Sequence, residues 1–371
     1  MSRSSRRGRV PEAVAERQDF FRLGPERVLE AVEQAGLACR PLCYPLNSFE
    51  NRVYELELED RARIVAKFYR PGRWSAEQIG EEHELLAELA AAELPVCAVR
   101  PFPDGATLRT TLGIQYAIWD RRGGRAPDEL DASLALRLGM FVGRMHNVAA
   151  GRRFRRRPRL DAETYVVGEA AWLERERIVP AAFEARYLRA CGELAELAEP
   201  ALAGADTLRL HADLHLGNVL LRDGELRLLD FDDAATGPPV QDLWLAIPGR
   251  DARSLQLRDY FLDGYERFRR FDRGSLRLVE LLRGMRMVRY AAWLARRWDD
   301  PAFRTGWPDF GSEDYWRTTT ADLEEQLGFV REGLRSAPEA APAGSGGRLA
   351  SPAEEASELT NKDYFWDWEG D

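Results

Sequence analysis

Between Leu208 and Asp233 the chain places His211, Asp213, His215 and Asn218 in one polar segment. The apolar run Val219-Leu220-Leu221, the turn Arg222-Asp223-Gly224, a second apolar run and Asp230-Phe231-Asp232-Asp233 follow. This pattern predicts two short buried strands joined by a hairpin, with Asp213 and Asn218 in one loop and Asp230 at a strand end. A carboxylate so placed can orient and deprotonate a hydroxyl. An amide oxygen and a second carboxylate are hard ligands of the kind magnesium takes when it bridges phosphates. The chemistry these residue types serve is phosphoryl transfer, which asks the protein mainly for positioning and charge stabilisation.

The spacing His-x-Asp-x-x-x-x-Asn followed by Asp-Phe-Asp is the catalytic-loop and metal-loop pattern of kinases, which usually show Asp-Phe-Gly. Its counterpart is a lysine on a strand. Of 53 basic residues only Lys67 and Lys362 are lysines. Val53–Glu59 alternates as a strand, the Asp60-Arg61 region turns, and Arg63–Tyr69 reads as a second strand. Ile64, Ala66 and Phe68 share one face there, with Lys67 on the other beside Val65 and Tyr69. Ser75-Ala76-Glu77-Gln78 fits a capping box and predicts a helix from about 76 to 92 that Pro95 ends. Its inward stripe holds Ile79, His83 and Leu86 with Glu82 at the edge, so Glu82 is expected to hold Lys67 while Lys67 grips the α/β-phosphates. Glu81 should point away.

The remaining elements form a frame around these residues. A short amphipathic helix is expected from Pro25 to Gly36, and strand-like pieces at Val96–Val99 and Gly113–Trp119. After Gly123-Gly124 long helices take over, among them Ser133–Val148 and a segment over 275–298. The hydrophobic fraction of 45% over 371 residues suits an ordinary folded protein. No run is long and apolar enough for a membrane span, and no signal segment is visible, so a cytoplasmic protein with no membrane association is expected. The net charge of −9 argues against nucleic acid as a partner. Four scattered cysteines suggest neither a zinc ribbon nor a disulfide framework.

The chain resembles the stress response kinase A family of bacterial serine/threonine protein kinases, in the wider aminoglycoside phosphotransferase and choline kinase-like group. The resemblance is carried by residues 45–54, Val65–Pro71, Glu81-Glu82-His83, Gly143–His146, Pro238–Trp244, Ala292–Trp298 and Glu313–Trp316, and covers about residues 20 to 330. It implies an α+β, two-lobed protein-kinase-like fold. The small β-rich N-lobe with one main helix would be 19–120 and the larger mainly helical C-lobe 121–335; composition sets off a flexible N-terminal arm, 1–18, and, outside the resemblance, a flexible linker with an aromatic-acidic tail, 336–371. The resemblance also implies ATP as co-substrate, Mg2+ as cofactor and Ser/Thr side chains of proteins as acceptors; a monomer is expected. By matching position, Asp213 resembles the proton-accepting aspartate, Asn218 and Asp230 the magnesium ligands, and Ser48 a residue at the ATP phosphates. The loop at 46–52 lacks a Gly-x-Gly-x-x-Gly, so the phosphate grip falls to Asn47, Ser48 and backbone amides.

Plainer readings compete. Asp213, Asn218 and Asp230 are also turn-forming residue types, and Lys67 alone reads as a solvated strand lysine. His211 reads as a brace of the catalytic loop, His83 and His146 as packing residues, and Asp232 and Asp233 as turn stabilisers or aids to the metal. Asp242 is a candidate orienting residue. The run Arg152–Arg159 reads as a solvated loop or as a surface for acidic partners. A small-molecule hydroxyl kinase of the same fold is the alternative function. A silent kinase-like scaffold, and a metal hydrolase using His211, Asp213 and His215, are weaker alternatives.

Overall fold

The structure, a computed structural model, describes residues 20–335. The N-terminal arm, the linker and the aromatic-acidic tail lie outside the described residues. The chain forms two compact units, each assembled from separated segments. The first unites residues up to Arg157 with His211–Ala235 and Asp259–Arg269; the second holds Pro158–Leu210, Thr236–Arg258 and the chain from Arg270.

In the first unit helix α1 (Pro25–Gln34) precedes an antiparallel sheet of β1 (Cys39–Leu46), β2 (Arg52–Leu58), β3 (Arg63–Phe68), β4 (Val99–Arg100), β5 (Arg109–Thr111) and β6 (Ile114–Asp120). The order is β1-β2-β3-β6-β4, with β5 also paired to β6. The period-two pattern of β3 holds. Ile64, Ala66 and Phe68 pack with Tyr54, Leu56 and the α1 residues Val28 and Val32. On the other face Tyr69, Ile79 and Ala117 form a smaller cluster edged by Trp74 and Trp119. Each buried aliphatic or aromatic side chain contributes roughly 1.5–3 kcal/mol, so the alternation fixes the register that decides where Lys67 points.

Helix α2 (Ala76–Ala91) starts with the expected capping box: Ser75 Oγ accepts the Gln78 N–H and Gln78 Oε1 accepts the Ser75 N–H. Helix α3 (Ala132–Ala149) follows, its first turn capped by Asp131. Gly139 and Gly143 of α3 lie so close to the carbonyls of Phe261 and Tyr265 that a Cβ there would clash with backbone.

The second unit is mainly helical. It contains α4 (Gly168–Arg175), α5 (Ala181–Ala203), α6 (Val240–Ala246), the first half of α7 (Ala252–Tyr265), and α8 (Val279–Arg297), α9 (Pro301–Gly306) and α10 (Glu313–Arg335). Tyr187 of α5 and Trp316 of α10 are fully buried and meet edge to face at 5.4 Å. Asp242 is buried in α6. Among the described residues no helix is long and apolar enough to cross a membrane.

After β7 (Leu208–Leu210), the chain re-enters the first unit as a loop and the predicted hairpin, β8 (Val219–Arg222) and β9 (Glu225–Leu228). Asp223 and Gly224 both take positive φ, as a two-residue hairpin turn of this hand demands. Backbone bonds fasten the hairpin to the unit on both sides: Leu221 exchanges bonds with Arg125, and Leu228 pairs with Pro95 and Cys97.

Candidate active site

Lys67 is the best-placed cation of the first unit. It is only 8% exposed, lies opposite Ala117 across the sheet, and its ammonium sits between the rings of Tyr69 and Trp119 at 5.2 and 5.9 Å. Nζ donates to Asp230 Oδ1 at 2.9 Å and forms an ion pair with Asp232 Oδ1 at 3.1 Å. Burial penalises this charge, but the carboxylates of Asp230, Asp232 and Glu82 outweigh the penalty and hold the lysine pKa well above its usual value. Lys67 is therefore a permanent cation.

Asp232 is the hub of the site. Its Oδ2 meets Arg73 at 2.7 Å and accepts from Asn51 Nδ2 at 3.3 Å. Burial favours the acid form, yet Lys67, Arg73 and Arg157 together keep its pKa well below the ordinary carboxylate range. Arg73 also pairs with Asp233 at 2.7 Å and with Glu50 at 3.2 Å. Glu50 belongs to the β1–β2 loop, which arginines hold in place of glycines. Arg70 donates to the carbonyls of Phe49 and Glu50, and its own N–H donates to Asn51 Oδ1. Ser48 Oγ accepts the Asn51 N–H at 3.3 Å, so Ser48 is tied through Asn51 to Asp232. Asn47 is exposed at the same loop.

The expected Lys67–Glu82 ion pair does not form. Glu82 is 1% exposed and pairs with Arg157 Nη2 at 2.7 Å. Arg157 Nη1 donates to the Asp232 carbonyl at 2.6 Å, its Nε donates to the Gln78 carbonyl at 2.8 Å, and its guanidinium lies 4.7 Å over Trp74. One planar fork thus serves three acceptors, which an ammonium cannot do, while Lys67 finds two nearer carboxylates. Burial pushes Glu82 up to about 7 against the pull of Lys67 and Arg157. Glu81 points away from this cluster, and its carboxylate accepts the backbone N–H groups of Arg155, Arg156 and Arg157 at 2.7–3.2 Å.

The catalytic-loop residues are held differently. His211 is fully buried; its Nε2 donates to the Leu229 carbonyl at 2.7 Å and its Nδ1 accepts the Asp213 N–H at 3.3 Å. It is the brace that the sequence suggests. Asn218 Nδ2 donates to the Asp213 carbonyl at 2.8 Å, and the Asn218 carbonyl accepts the Leu229 N–H at 2.9 Å. Ala212 and Asp230, both flanking these bonds, adopt left-handed φ values of 65° and 53°. Non-glycine residues in that region store strain of roughly 1–2 kcal/mol, and such strain concentrates at functional loops. His215 Nε2 lies 3.6 Å from Asp213 Oδ2.

Of the residues singled out from sequence, Lys67 and Asp230 touch. Asp213 and Asn218 are tied to the residue before Asp230, Ser48 reaches Asp232 through Asn51, and Glu82 reaches it through Arg157. Sequence reasoning missed Arg73 and Arg157, because nothing marks two guanidiniums out in an arginine-rich chain, and it undervalued Asp232. The donor set fits a divalent cation. With its Nδ2 engaged, Asn218 has Oδ1 to offer, and Asp230 keeps an exposed carboxylate whose Oδ2 is not taken by Lys67. Among the described residues no three His, Cys, Asp or Glu side chains converge as a self-contained metal site. An amide, a carboxylate and phosphate oxygens are the ligands magnesium takes in kinases. Four cations (Lys67, Arg70, Arg73, Arg157) face five carboxylates (Glu50, Glu82, Asp230, Asp232, Asp233), leaving at most one negative charge in excess.

Residues 43–279 match the phosphotransferase enzyme family, APH. The stress response kinase A of Salmonella paratyphi A is 40% identical over 316 residues, 84% of this chain and 95% of that protein. The serine/threonine protein kinase RdoA of Salmonella typhimurium matches with the same identity and coverage. Among solved structures, amicoumacin kinase hAmiN in complex with AMP-PNP, Ca2+ and Ami superposes with a TM-score of 0.62 at 21% identity, covering 84% of this chain and 94% of that one. The β-rich N-terminal part, the helical C-terminal part and these matches agree on an α+β kinase-like fold, and the chain belongs to the phosphotransferase enzyme family, among the stress response kinase A proteins.

Proposed function

We infer that this chain is a magnesium-dependent serine/threonine protein kinase that uses ATP and acts in a stress response. The observation that carries the reading is the lysine–aspartate pair Lys67–Asp230 beside a braced loop bearing Asp213 and Asn218. The name of the 40% identical Salmonella typhimurium relative supports protein Ser/Thr acceptors. Lys67 would bind the α/β-phosphates, exchanging part of its contact with Asp230 and Asp232 for phosphate oxygens. Asn47, Ser48 and the loop amides would lie against the phosphates. Asn218 and Asp230 would hold magnesium, which neutralises charge on the phosphates when bound. Asp213 would orient the acceptor hydroxyl and take its proton. The hydroxyl oxygen forms a bond to the γ-phosphorus as the bond to the β-bridging oxygen breaks and ADP leaves.

The amicoumacin kinase fold likeness favours a second reading, a kinase of small hydroxyl compounds. Transfer from γ-labelled ATP with magnesium, using wild type and Asp213→Ala, separates the two. Label on Ser or Thr of the chain itself or of a generic basic protein, lost in the variant, is expected. Label only on small hydroxyl compounds would replace the acceptor assignment, and equal labelling by both proteins would remove Asp213 from its role.

A further inference from the structure

The segment Arg152–Arg156 is a built surface of positive charge. The carboxylate of Glu81 accepts three consecutive backbone N–H groups of residues 155–157. Gln78 Nε2 donates to the Arg156 carbonyl at 2.9 Å, and the next residue, Arg157, is buried. A merely solvated charge run needs no such scaffold. With the backbone fixed, the side chains of Arg153, Arg155 and Arg156 are exposed. Arg152 reaches Glu88 at 3.2 Å and Arg156 lies within the field of Glu77, so Arg153 and Arg155 are the guanidiniums with no side-chain ion pair among the described residues. The surface therefore presents preorganised cations, which lowers the ordering cost of binding.

The chain itself carries a matching sequence. Residues 352–371 contain seven carboxylates (Glu354, Glu355, Glu358, Asp363, Asp367, Glu369, Asp371) against the single Lys362, interleaved with Tyr364, Phe365, Trp366 and Trp368. The last described helix ends at Arg335, so 16 residues separate it from this segment. At about 3.3–3.6 Å per residue they can span roughly 50–60 Å. We propose that the exposed face of Arg153, Arg155 and Arg156 is the docking site of the acidic-aromatic segment 352–371 of the same chain. Carboxylates answer the guanidiniums, and the indoles answer the arginine planes. The tethered segment acts at high effective concentration, so it shields this surface from other acidic partners.

Binding alone tests this, independently of any phosphoryl transfer. A fluorescein-labelled peptide of residues 352–371 is titrated by anisotropy into the full chain whose seven tail carboxylates are changed to their amides, so that its own segment does not compete. Saturable binding is expected. It should weaken about tenfold or more when Arg153→Ser, Arg155→Ser and Arg156→Ser are combined, and also on raising salt from about 0.05 to 0.3 M. The three substitutions alter exposed side chains and leave the Glu81 scaffold to backbone groups, and an unchanged melting temperature verifies this. Weaker trans binding to the wild-type full chain is also expected. No saturable binding, or equal affinity for the triple variant, overturns the surface. Equal binding of a peptide with all four aromatics changed to Ala overturns this occupant in favour of any acidic segment.

Discussion

The two halves of the site are fixed by different forces. Around Lys67, Asp232, Arg73 and Arg157 the groups are charged, mostly buried and mutually paired at 2.6–3.3 Å. Around Asp213 and Asn218 they are half-exposed and are placed by neutral hydrogen bonds from a buried histidine, a side-chain amide and left-handed backbone. A buried charge that loses its partner is left uncompensated, so the first half is bound up with folding. A half-exposed carboxylate that is removed leaves only water behind it. Removing Asp213 should therefore cost chemistry with little stability, whereas breaking a buried pair of the first half should cost stability.

The largest effect expected from that contrast is on turnover. Asp213→Ala should lower kcat by about 10² to 10⁴, the range for a positioned base, with ATP affinity and melting temperature close to wild type. Single-turnover kinetics alongside thermal unfolding measures both. A variant that melts many degrees lower would break the contrast, because it would make Asp213 a structural residue.

Arg157→Ala should do the reverse. It strips Glu82 of its partner at 2.7 Å and takes a donor from the Asp232 carbonyl, in a place fully shut off from water. The expected loss is about 3–5 kcal/mol of unfolding free energy, read from urea midpoints. The double variant Arg157→Met with Glu82→Gln should recover part of it, since no lone charge remains. If the single variant unfolds like wild type, the buried pair is not what holds α2 to the Asp230–Asp233 segment.

What could be read ahead of the structure follows the same division. The period-two alternation of β3, the Ser75–Gln78 capping box and the Asp223-Gly224 turn are local signals, and each appears at its expected place. Spacing along 211–230 likewise exposes Asp213, Asn218 and Asp230, because loop geometry ties them together over short distances in sequence. The choice of partner for Lys67 is not local. Glu82, Asp230 and Asp232 are all acidic residues within reach of one fold, and only the arrival of Arg157 from 75 residues away on Glu82 decides it. β1 was hidden for a different reason: it is a half-exposed edge strand interrupted by Pro41 and Pro45, with no clean alternation to detect.

Acid exposes a smaller difference within the charged half. His83 is 5% exposed, with Tyr69 Oη at 3.1 Å and Thr107 Oγ1 at 2.9 Å on its two ring nitrogens. Burial, helped by Lys67 and Arg157, lowers its pKa to about 3. Its folded pKa is thus below the unfolded value of about 6.5. Its contribution to stability is complete above that value and is lost as pH falls toward 3. Glu82 runs the opposite way: with its pKa raised to about 7, the stability it contributes is present at low pH and lost as pH rises through that value. Between about pH 7 and 5.5, wild type should lose on the order of 1 kcal/mol relative to His83→Gln. Urea denaturation at the two pH values reads this difference, and parallel curves would show that His83 takes up a proton in the fold.

The smallest effect belongs to the neutral half. Ala212 holds φ at 65° between the brace His211 and Asp213, where a Cβ is strained and glycine is at ease. Relief of about 1–2 kcal/mol is offset by the greater freedom of glycine in the unfolded chain, about 0.5–1 kcal/mol, so Ala212→Gly should stabilise by roughly 0.5–1 kcal/mol. Activity is the sharper readout. Alanine also narrows the loop to few conformations, whereas glycine would let the Asp213 carboxylate wander from its line to the acceptor. A variant slightly more stable yet several-fold slower would show that this half uses backbone strain for positioning, as the other half uses charge. A variant both more stable and equally fast would show that the two hydrogen bonds of His211 already suffice.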